Sequence, residues 1–355
     1  MTGPRLSVVI VTFNHRDELA RTLPPLVEQL REDDELIVAD NGSQDGTREL
    51  VAELAPGAEL VEMGANTGFA AAANAGAEAA AGELLVFLNP DATPLDGFAE
   101  AIRRPWVEGR GWAAWMGLVA CDGGRTVNTS GNPVHFTGFA WAGEHGRPLP
   151  ADLVPHEVPS ASGACLALPL DTFDRLGGFP DRYFLYHEDV DLSMRLRLEG
   201  GAIGLEPGAV VDHEYEFEAS AAKMRWLERN RWAFLTRVYP APLLVLLAPA
   251  LLLTELALIP VSVAGGWGWQ KLLADLDGLR RLPWALRSRR QVQRRRQVSA
   301  ADFAAWLTPD LDSPFFGRTG RSRLVGAMLR AYWRVVRALL GSPREAGERG
   351  GSGSR

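Results

Sequence analysis

Acidic side chains follow directly on two apolar runs of the sequence. The run Leu84–Leu88 leads into a short turn that contains Asp91, and the run Glu35–Ala39 ends at Asp40. Short apolar runs bounded by turn residues predict buried strands of a mostly parallel sheet. Ligands bind beyond the carboxyl ends of such strands, so both carboxylates are expected at one edge of the sheet, where Asp91 could coordinate a divalent cation. The alternative is that Asp91 only opens a turn, for which Asn-Pro-Asp is well suited.

Two adjacent acids, Glu188 and Asp189, begin a segment whose leucines recur at helical spacing. They follow an aromatic loop over residues 179–186. Acidic side chains at a helix N-terminus are stabilised by the helix dipole. On this segment alone, a structural role and a chemical role are both open.

The composition indicates a folded protein with an uneven distribution of charge. The chain has 355 residues, 46% of them hydrophobic, which suffices for one large domain with extensions or for two domains. The net charge is −7, yet the last quarter is strongly basic, which favours a polyanionic or membrane partner for that part. The two cysteines, Cys121 and Cys165, do not suggest a disulfide framework or a zinc site and indicate a reducing compartment. The residues before Leu6 lack the apolar core of a signal peptide.

The N-terminal part of the sequence alternates between apolar runs and segments of helical spacing. The predicted strands cover residues 6–11, 35–40, 59–63 and 84–88. The predicted helices between them cover residues 16–31, 47–54 and 70–81. This alternation predicts a doubly wound, mostly parallel α/β sheet.

The loops of this predicted sheet favour one class of ligand. No G-x-G-x-x-G sequence follows the first strand and no Walker A sequence occurs, so a mononucleotide held by side chains and loop amides fits better than a dinucleotide. Residues 105–160 are rich in Gly, Trp and Pro, and we expect short antiparallel strands and loops that form one wall of a substrate cleft. Further strands are predicted at residues 162–168 and 203–211.

Several short motifs, in their order and spacing, resemble the family 2 inverting glycosyltransferases with the GT-A fold. The resemblance covers roughly residues 6–236. Its motifs are Val9–Asn14, Val38–Thr47, Asn66–Phe69 with Asn74, Leu88–Asp91, and Glu188–Asp189 with His213. Each motif is weak alone, whereas the set is specific. The Asn-Pro-Asp variant and the stretch Arg229–Arg231 look like those of rhamnosyltransferase-like bacterial members.

The resemblance implies a nucleotide-diphosphate sugar as donor and a divalent cation beside it. The residues that it places against the base, the ribose or the nucleotide side of the cleft are Thr12, Asn14, Asp40, Asn66, Gly68 and Asn74. Asp91 stands where the last acid of the family's D-x-D metal motif stands, while the first acid is replaced by Asn89, which offers only a neutral amide oxygen. His213 is implied as the second protein ligand of Mg²⁺ or Mn²⁺, of which Mn²⁺ accepts imidazole more readily.

The implied reaction is attack of an acceptor hydroxyl on the anomeric carbon while a nucleoside diphosphate leaves. The hydroxyl needs a general base, and the leaving diphosphate needs positive charge. We assign Asp189 as the base and Glu188 as a neighbour that holds the acceptor or tunes Asp189. A single base on the face opposite the leaving group gives inversion. Arg229 or Arg231 is expected to help the cation stabilise the diphosphate.

An apolar segment over residues 243–264 carries a single charge, Glu255. Its length suits a membrane span, but Pro249 and Pro260 break it and a buried glutamate is costly in lipid. A kinked pair of helices lying in one leaflet fits at least as well. A buried helical hairpin packed on the catalytic domain is the third interpretation.

A basic cluster follows this segment within residues 280–296. Its eight arginines, with no acid among them, are Arg280, Arg281, Arg287, Arg289, Arg290, Arg294, Arg295 and Arg296. Trp267, Trp269 and Trp284 lie nearby, as aromatic residues do at membrane interfaces. We expect the cluster to bind anionic headgroups of the cytoplasmic leaflet. A nucleic-acid patch would explain the arginines but not the apolar segment, so no nucleic-acid partner is expected.

These patterns predict a catalytic GT-A domain followed by a helical, membrane-associated region. The expected boundaries are a catalytic domain at 1–218, a helical region at 219–300 with its apolar segment at about 242–264, amphipathic helices at 301–340 and a disordered tail at 341–355.

The predicted function is transfer of a sugar, with L-rhamnose implied by the subgroup, to a lipid-linked or cell-envelope glycan acceptor. We expect this to take place at the cytoplasmic face of the cell membrane, with the chain bound as a peripheral, monotopic or single-span protein. The alternatives are a sugar-phosphate nucleotidyltransferase, which should carry a basic glycine-rich loop after the first strand, and a non-catalytic peripheral membrane scaffold.

Overall fold

The computed structural model describes residues 3–213, 220–312 and 322–343, which form two compact units. Among these residues, the first unit comprises 3–132, 142–196 and 201–213, and the second comprises 133–141, 197–200, 220–312 and 322–343. Most of the tail predicted to be disordered lies outside the described residues.

The first unit is built on one mixed sheet. Its strands are β1 (Leu6–Thr12), β2 (Glu35–Asp40), β3 (Glu59–Glu62), β4 (Leu84–Leu88), β5 (Ala92–Pro94), β6 (Trp112–Cys121), β7 (Thr126–Thr129), β9 (His156–Glu157), β10 (Cys165–Pro169) and β11 (Ala202–His213). The main strand order is β3-β2-β1-β4-β10-β6-β11-β5, with β7 on β6 and β9 on β11. Strands β3, β2, β1 and β4 are parallel, which confirms the predicted α/β sheet.

The helices of the first unit connect these strands. They are α1 (Arg16–Val27), α2 (Thr47–Leu54), α3 (Phe69–Ala79), α4 (Phe98–Val107), α5 (Leu170–Leu176) and α6 (Glu188–Leu198). Alanine-rich α3 lies against β1, and its side chains Ala70, Ala72 and Ala73 are fully buried. A Cβ added at Gly76 would meet Val9 at 2.5 Å. Small residues therefore let this helix approach the sheet closely.

The expectation of only short strands and loops for residues 105–160 is wrong in part. Strand β6 is ten residues long and lies inside the sheet, antiparallel to β10 and parallel to β11. Its residues Ala114–Ala120 are all buried. Because both faces of β6 are covered, its sequence is a continuous apolar run, but its alanines and glycine are uncommon in strands and weaken the signal.

The second unit is mainly helical. Its elements are β8 (Val134–His135), α7 (Ala221–Val238), α8 (Ala241–Ala264), α9 (Gly268–Arg294), α10 (Ala300–Ala304), β12 (Leu307–Thr308) and α11 (Arg323–Leu340), and β8 pairs with β12 in parallel. Helix α7 packs along α9, where Arg225 pairs with Asp277 and Arg289 donates to the carbonyl oxygen of Tyr239.

Helix α8 contains the apolar segment. It is one continuous helix of 24 residues with Pro249 and Pro260 inside it, so the expectation of a kinked pair of helices is wrong. Within the part of the chain that the structure describes, α8 is the helix whose length and composition would allow it to cross a membrane.

Candidate active site

The carboxyl ends of β1 and β2 bring two predicted nucleotide-binding residues side by side. Thr12 and Asp40 are register partners in the parallel pair, and both are buried. The Asp40 carboxylate accepts hydrogen bonds from the backbone N–H of Ser43, at 3.1 and 3.2 Å. The Thr12 hydroxyl is buried without a hydrogen-bond partner among the described residues. A buried hydroxyl in that state costs free energy unless a ligand satisfies it.

Asn14 ties the loop after β1 to the loop after β2. Its backbone N–H donates to Ser43 Oγ at 2.9 Å, and its Oδ1 accepts from the N–H of Gln44 at 2.8 Å. Asn14 has φ of 56°, in the left-handed region that asparagine tolerates better than most residues. The structure thus brings Asn14, Thr12 and Asp40 to one edge of the sheet.

Asn41 organises the loop over residues 66–68 and had no role in the sequence analysis. Its Oδ1 accepts from the backbone N–H of Thr67 at 3.1 Å and from its hydroxyl at 2.9 Å, and its Nδ2 donates to the carbonyl oxygen of Gly68 at 3.3 Å. Asn66 Oδ1 in turn accepts from the N–H of Gly68 at 3.0 Å. The feature of the sequence that could have indicated a role for Asn41 is its position directly after a strand that ends in an acid.

Gly68 lies where this loop meets the aromatic loop that precedes α6. Its φ of 88° and ψ of 166° fall in a region that is essentially restricted to glycine. A Cβ there would lie 2.5 Å from the carbonyl oxygen of Phe184. Phe184, Tyr186 and His187 also have positive φ, at 67°, 71° and 73°. Such a group of strained non-glycine residues is typical of functional loops.

Asn74 connects α3 to the aromatic loop that precedes α6. Its Oδ1 accepts from the N–H of Phe179, and its Nδ2 donates to the carbonyl oxygen of Phe179, both at 2.9 Å. Its Nδ2 also donates to Asp181 Oδ1 at 2.5 Å. These bonds give Asn74 a role in holding the loop; a nucleotide contact of Asn74 stays a prediction.

Asp91 and His213 form the pair that the sequence suggested as metal ligands. His213 Nε2 lies 3.0 Å from Asp91 Oδ1. The pairing of β5 with β11 places them together, since His213 is opposite Ala92. Burial raises the pKa of Asp91, but the hydrogen bond and charge of His213 outweigh it, so the pKa of this carboxyl lies below its ordinary value.

A divalent cation fits this pair as an incomplete protein site. An anionic oxygen and an imidazole are donors that Mn²⁺ accepts, and the Asp91 side chain is 33% exposed, so it can reach a bound molecule. Within the described residues, no group of three or more His, Cys, Asp or Glu could hold a metal ion. The remaining coordination positions of the cation would therefore have to be filled by a ligand or by water. Mg²⁺ is commonly bound in this way, by one or two carboxylates together with substrate phosphates and water.

The first turn of α6 carries Glu188 and Asp189. Asp189 Oδ2 accepts from the backbone N–H of Gly163 at 2.9 Å, and Oδ1 accepts from that of Val190 at 2.7 Å. Burial raises the pKa of Asp189 despite these bonds. Glu188 is 6% exposed, and its Oε2 has no hydrogen-bond partner in the described part of the chain. Burial and the neighbouring Asp189 carboxylate raise its pKa well above the ordinary value.

The segment Gly163–Ala164 links this pair of acids to the end of β4. Gly163 donates to Asp189, and the carbonyl oxygen of Ala164 accepts from the N–H of Asn89 at 3.0 Å. Asn89 is two residues before Asp91 in the chain. One short backbone segment therefore fixes both the start of α6 and the turn that carries Asp91.

Comparison with known proteins decides the family. The model of glycosyl transferase family 2 matches residues 7–177. An N-acetylglucosaminyl-diphospho-decaprenol L-rhamnosyltransferase of Mycobacterium tuberculosis is 30% identical over 239 residues, which are 59% of this chain and 75% of that protein. The chain belongs to glycosyl transferase family 2. It is a glycosyltransferase, and the alternatives of a nucleotidyltransferase and a non-catalytic scaffold are set aside.

Two further likenesses agree with this family. A GalNAc(5)-diNAcBac-PP-undecaprenol beta-1,3-glucosyltransferase of Campylobacter jejuni is 27% identical over 132 residues, which are 36% of this chain and 43% of that protein. The crystal structure of GalNAc-T7 with UDP, GalNAc and Mn²⁺ covers 68% of this chain with a TM-score of 0.55 and 17% identity. The chain matches only 49% of that structure, about half of its length, and this likeness shows the GT-A fold alone.

A buried ion pair supports the first turn of α6 in this glycosyltransferase. Asp191 accepts from Arg195 Nε at 2.7 Å and from the hydroxyl of Tyr183 at 2.8 Å. Arg195 also donates to the carbonyl oxygens of Leu176 and Gly178, at 2.8 and 2.7 Å. This support was not predicted, although an acid and an arginine four residues apart on a helix are a recognised stabilising pair.

Arg229 and Arg231 lie in the second unit of the glycosyltransferase, on α7. Arg231 is 1% exposed and donates to the carboxylates of Glu228 and Glu255 and to the carbonyl oxygen of Thr137. Arg229 is buried and donates to Asn230 Oδ1 at 3.0 Å. Arg231 thus has a structural role, and a contact of Arg229 or Arg231 with the diphosphate stays a prediction.

The loop at Gly68 yields a prediction about stability. Gly68→Ala should destabilise the protein by at least about 2 kcal/mol, because the backbone region excludes a side chain and the new Cβ meets backbone atoms of Phe184. Gly97→Ala is the matched control: Gly97 is also left-handed, at φ of 78°, but has open space around its Cβ position, and a cost of about 1 kcal/mol is expected. Urea unfolding measures both, and equal losses would contradict a close approach at Gly68.

Burial of Glu188 yields a prediction about pH. Its pKa is raised in the folded state, so folding favours the protonated acid and wild-type stability falls as pH rises from the unfolded pKa of about 4.3 to the folded pKa. Glu188→Gln removes this titration. The free energy of unfolding of the variant relative to wild type should therefore increase across that window, by up to about 1.4 kcal/mol per pH unit, and be constant above it. The difference between the two melting temperatures should follow the same course.

The control for this pH series is Glu53→Gln, which removes one negative charge at an exposed position of α2. Calorimetric melts of the three proteins between acidic and neutral pH make the measurement. A pH-independent difference between Glu188→Gln and wild type would show that Glu188 is not buried as a neutral acid.

Proposed function

We propose that this glycosyltransferase moves L-rhamnose from a nucleoside diphosphate donor to a polyprenyl-diphosphate-linked or other cell-envelope glycan, with inversion, at the cytoplasmic face of the cell membrane. The observation that carries the reaction is the linkage through Gly163–Ala164: one backbone segment holds the Asp189 carboxylate and the turn that leads to the Asp91–His213 pair.

The donor side of the proposal rests on the edge formed by β1, β2 and β4. Thr12, Asn14 and Asp40 would hold the base and ribose, because buried Thr12 and Asp40 and exposed Asn14 lie together at the carboxyl ends of parallel strands. Asn66 and Gly68 would line the same side of the cleft. Asp91 and His213 would hold Mg²⁺ or Mn²⁺, whose bound charge stabilises a leaving diphosphate.

The acceptor side rests on Asp189. In the proposed step the acceptor oxygen forms a bond to the anomeric carbon while the bond from that carbon to the diphosphate oxygen breaks. The hydroxyl proton passes to Asp189, and the diphosphate leaves with the electron pair. A carboxylate is a better proton acceptor when its pKa is raised towards the working pH, as burial does for Asp189. Glu188 would tune this group or contact the acceptor.

The choice of substrates rests on the names of two relatives. One is a rhamnosyltransferase named for a decaprenol diphosphate acceptor, and the other is a glucosyltransferase named for an undecaprenol diphosphate acceptor. Both names describe a sugar built on a lipid carrier. A lipid-linked acceptor also fits the apolar helix α8 and the basic cluster that follows it, since such an acceptor is held at a membrane surface.

The general base is tested by two matched substitutions. Asp189→Asn keeps the shape of the side chain but cannot accept a proton, so kcat should fall at least about a hundredfold while donor binding stays near wild type. The melting temperature should fall, because the amide can accept only one of the two backbone hydrogen bonds. Glu188→Gln should reduce turnover less and mainly raise the acceptor KM. Release of nucleoside diphosphate from dTDP-L-rhamnose in the presence of a polyprenyl-diphosphate-linked sugar measures both. An inactive Glu188→Gln beside an active Asp189→Asn would move the base to Glu188, and full activity in both would refute the assignment.

The cation site is tested by donor binding without turnover. Asp91→Ala should weaken Mn²⁺-dependent binding of the nucleoside diphosphate more than His213→Ala does, because it removes the charged ligand. Asp152→Ala, at an exposed acid, is the control. Titration calorimetry with and without a chelator gives the comparison. Wild-type binding that is indifferent to the chelator would rule out a cation at this pair.

A further inference from the structure

Helix α8 exposes apolar side chains and keeps its few polar side chains away from the surface. Its only polar side chains, Thr254, Glu255 and Ser262, are buried or half-buried. Every exposed residue of α8 is apolar, and the large ones are Val245, Leu252, Leu253, Leu256, Ile259, Val261 and Val263, each more than half exposed. A surface helix in water shows the opposite arrangement.

A buried group of charges holds α8 against α7 and α9 within the second unit. Glu255 pairs with Arg231 of α7 and with Lys271 of α9, the latter at 2.5 Å. Lys271 also contacts Asp275 at 2.6 Å and Glu228 at 3.5 Å. Arg231, Lys271 and Glu228 are each at most 3% exposed. Breaking such a buried pair by removing one partner is strongly destabilising, so α8 is firmly attached through its middle.

Helix α9 also has an exposed apolar stripe. Trp269, Leu272, Leu276, Leu279 and Leu286 recur every three, four or seven residues and are 41–68% exposed. The exposed side chains beside this stripe include Arg280, Arg287 and Arg290. Apolar residues flanked by arginines are the pattern of a helix that lies in a membrane interface.

Helix α11 shows the same pattern and contacts α8. Its exposed apolar residues are Leu324, Met328, Val335 and Leu339. On the contact side, the hydroxyl of Tyr332 donates to the carbonyl oxygen of Leu246. Arg330 and Arg334 are exposed. Helices α9 and α11 thus present apolar side chains beside exposed arginines, and α8 adds exposed apolar side chains without arginines.

We infer that the second unit binds the surface of a bilayer rich in anionic phospholipid, with α8 lying along one leaflet instead of crossing it. This rests on the membrane association within the proposed function and specifies its geometry. The 24 residues of α8 span about 36 Å, enough to cross. However, Glu255 lies near the middle of α8, so a crossing helix would place the charges of Glu255, Arg231 and Lys271 inside the hydrocarbon, where they are costly.

The partner is a lipid surface because the charges are complementary to it. Helix α9 carries basic residues along its C-terminal half, and each arginine near an anionic leaflet strengthens binding. The apolar stripes alone would also fit a second copy of the chain or another protein. These two occupants do not require the arginines beside the stripes, and they become outcomes of the test.

The depth of α8 in the bilayer tests this inference. Val245→Cys, Leu252→Cys, Leu256→Cys and Val263→Cys, each in a full chain whose Cys121 and Cys165 are replaced by Ala, would carry a nitrobenzoxadiazole label. The four positions lie on one exposed side of the helix. The vesicles contain phosphatidylethanolamine and phosphatidylglycerol, with spin labels either near the headgroup or deep in the acyl chain. We expect all four labels to be quenched equally and mainly by the shallow spin label.

Two other patterns would overturn the inference. Deep quenching at 252 and 256 with shallow quenching at 245 and 263 means that α8 crosses the bilayer. No quenching at any position means that something other than lipid covers the helix. Sedimentation of the same sample then shows whether that cover is a second copy of the chain, which would double the measured mass of the protein. Equal melting temperatures of the labelled and unlabelled chains show that the labels leave the fold intact.

Binding strength supplies a second readout. Leu279→Ser should weaken vesicle binding by about tenfold or more, because a leucine buried in the interface is lost. Arg287→Ala should weaken binding to phosphatidylglycerol vesicles about fivefold and leave binding to phosphatidylcholine vesicles unchanged. Unchanged binding in both variants contradicts the inference. Sugar transfer to a detergent-solubilised acceptor, measured on the same samples, separates a failure of docking from a failure of the proposed reaction.

Discussion

The candidate site depends on the hydrogen bonds of one short backbone segment, Gly163–Ala164. One of its N–H groups holds the Asp189 carboxylate, and one of its carbonyl oxygens holds the turn after β4. The parallel register of β1, β2 and β4 places the remaining polar groups at the same edge of the sheet. The geometry of the candidate site therefore depends on one bond between main-chain groups and on one bond from a main-chain N–H to the Asp189 carboxylate.

The first unit keeps groups that reduce its stability. Glu188 is a buried acid whose Oε2 has no hydrogen-bond partner among the described residues, and Phe184, Tyr186 and His187 before it have positive φ. The Asp191–Arg195 ion pair and its bonds to Tyr183 and Gly178 fix the backbone around these groups. Arrangements of this kind persist when the surrounding structure determines them strongly, and they are common where a site must be ready to bind.

Much of the first unit could be predicted from the sequence, because β1, β2 and β4 are apolar runs that end in turn residues. The acids at 40 and 91 follow from the same pattern. Strand β6 was missed although it too is a continuous apolar run, since its alanines and glycine are residues that are uncommon in strands. The partners of Asn41 and Asp191 depend on contacts distant in sequence. For α8, composition alone fits a span, a leaflet helix or a core helix; the difference lies in Arg231 and Lys271, which have no local signal.

The second unit draws on pieces that are far apart in the chain, since residues 133–141 belong with residues 220–312 and 322–343. Strand β8 at Val134 pairs with β12 at Leu307, and Arg231 reaches back to the carbonyl oxygen of Thr137. During synthesis, residues 133–141 can make these contacts only after most of the chain has left the ribosome. Contacts of such long sequence separation slow folding, and the second unit can be completed only once its C-terminal helices have been synthesised.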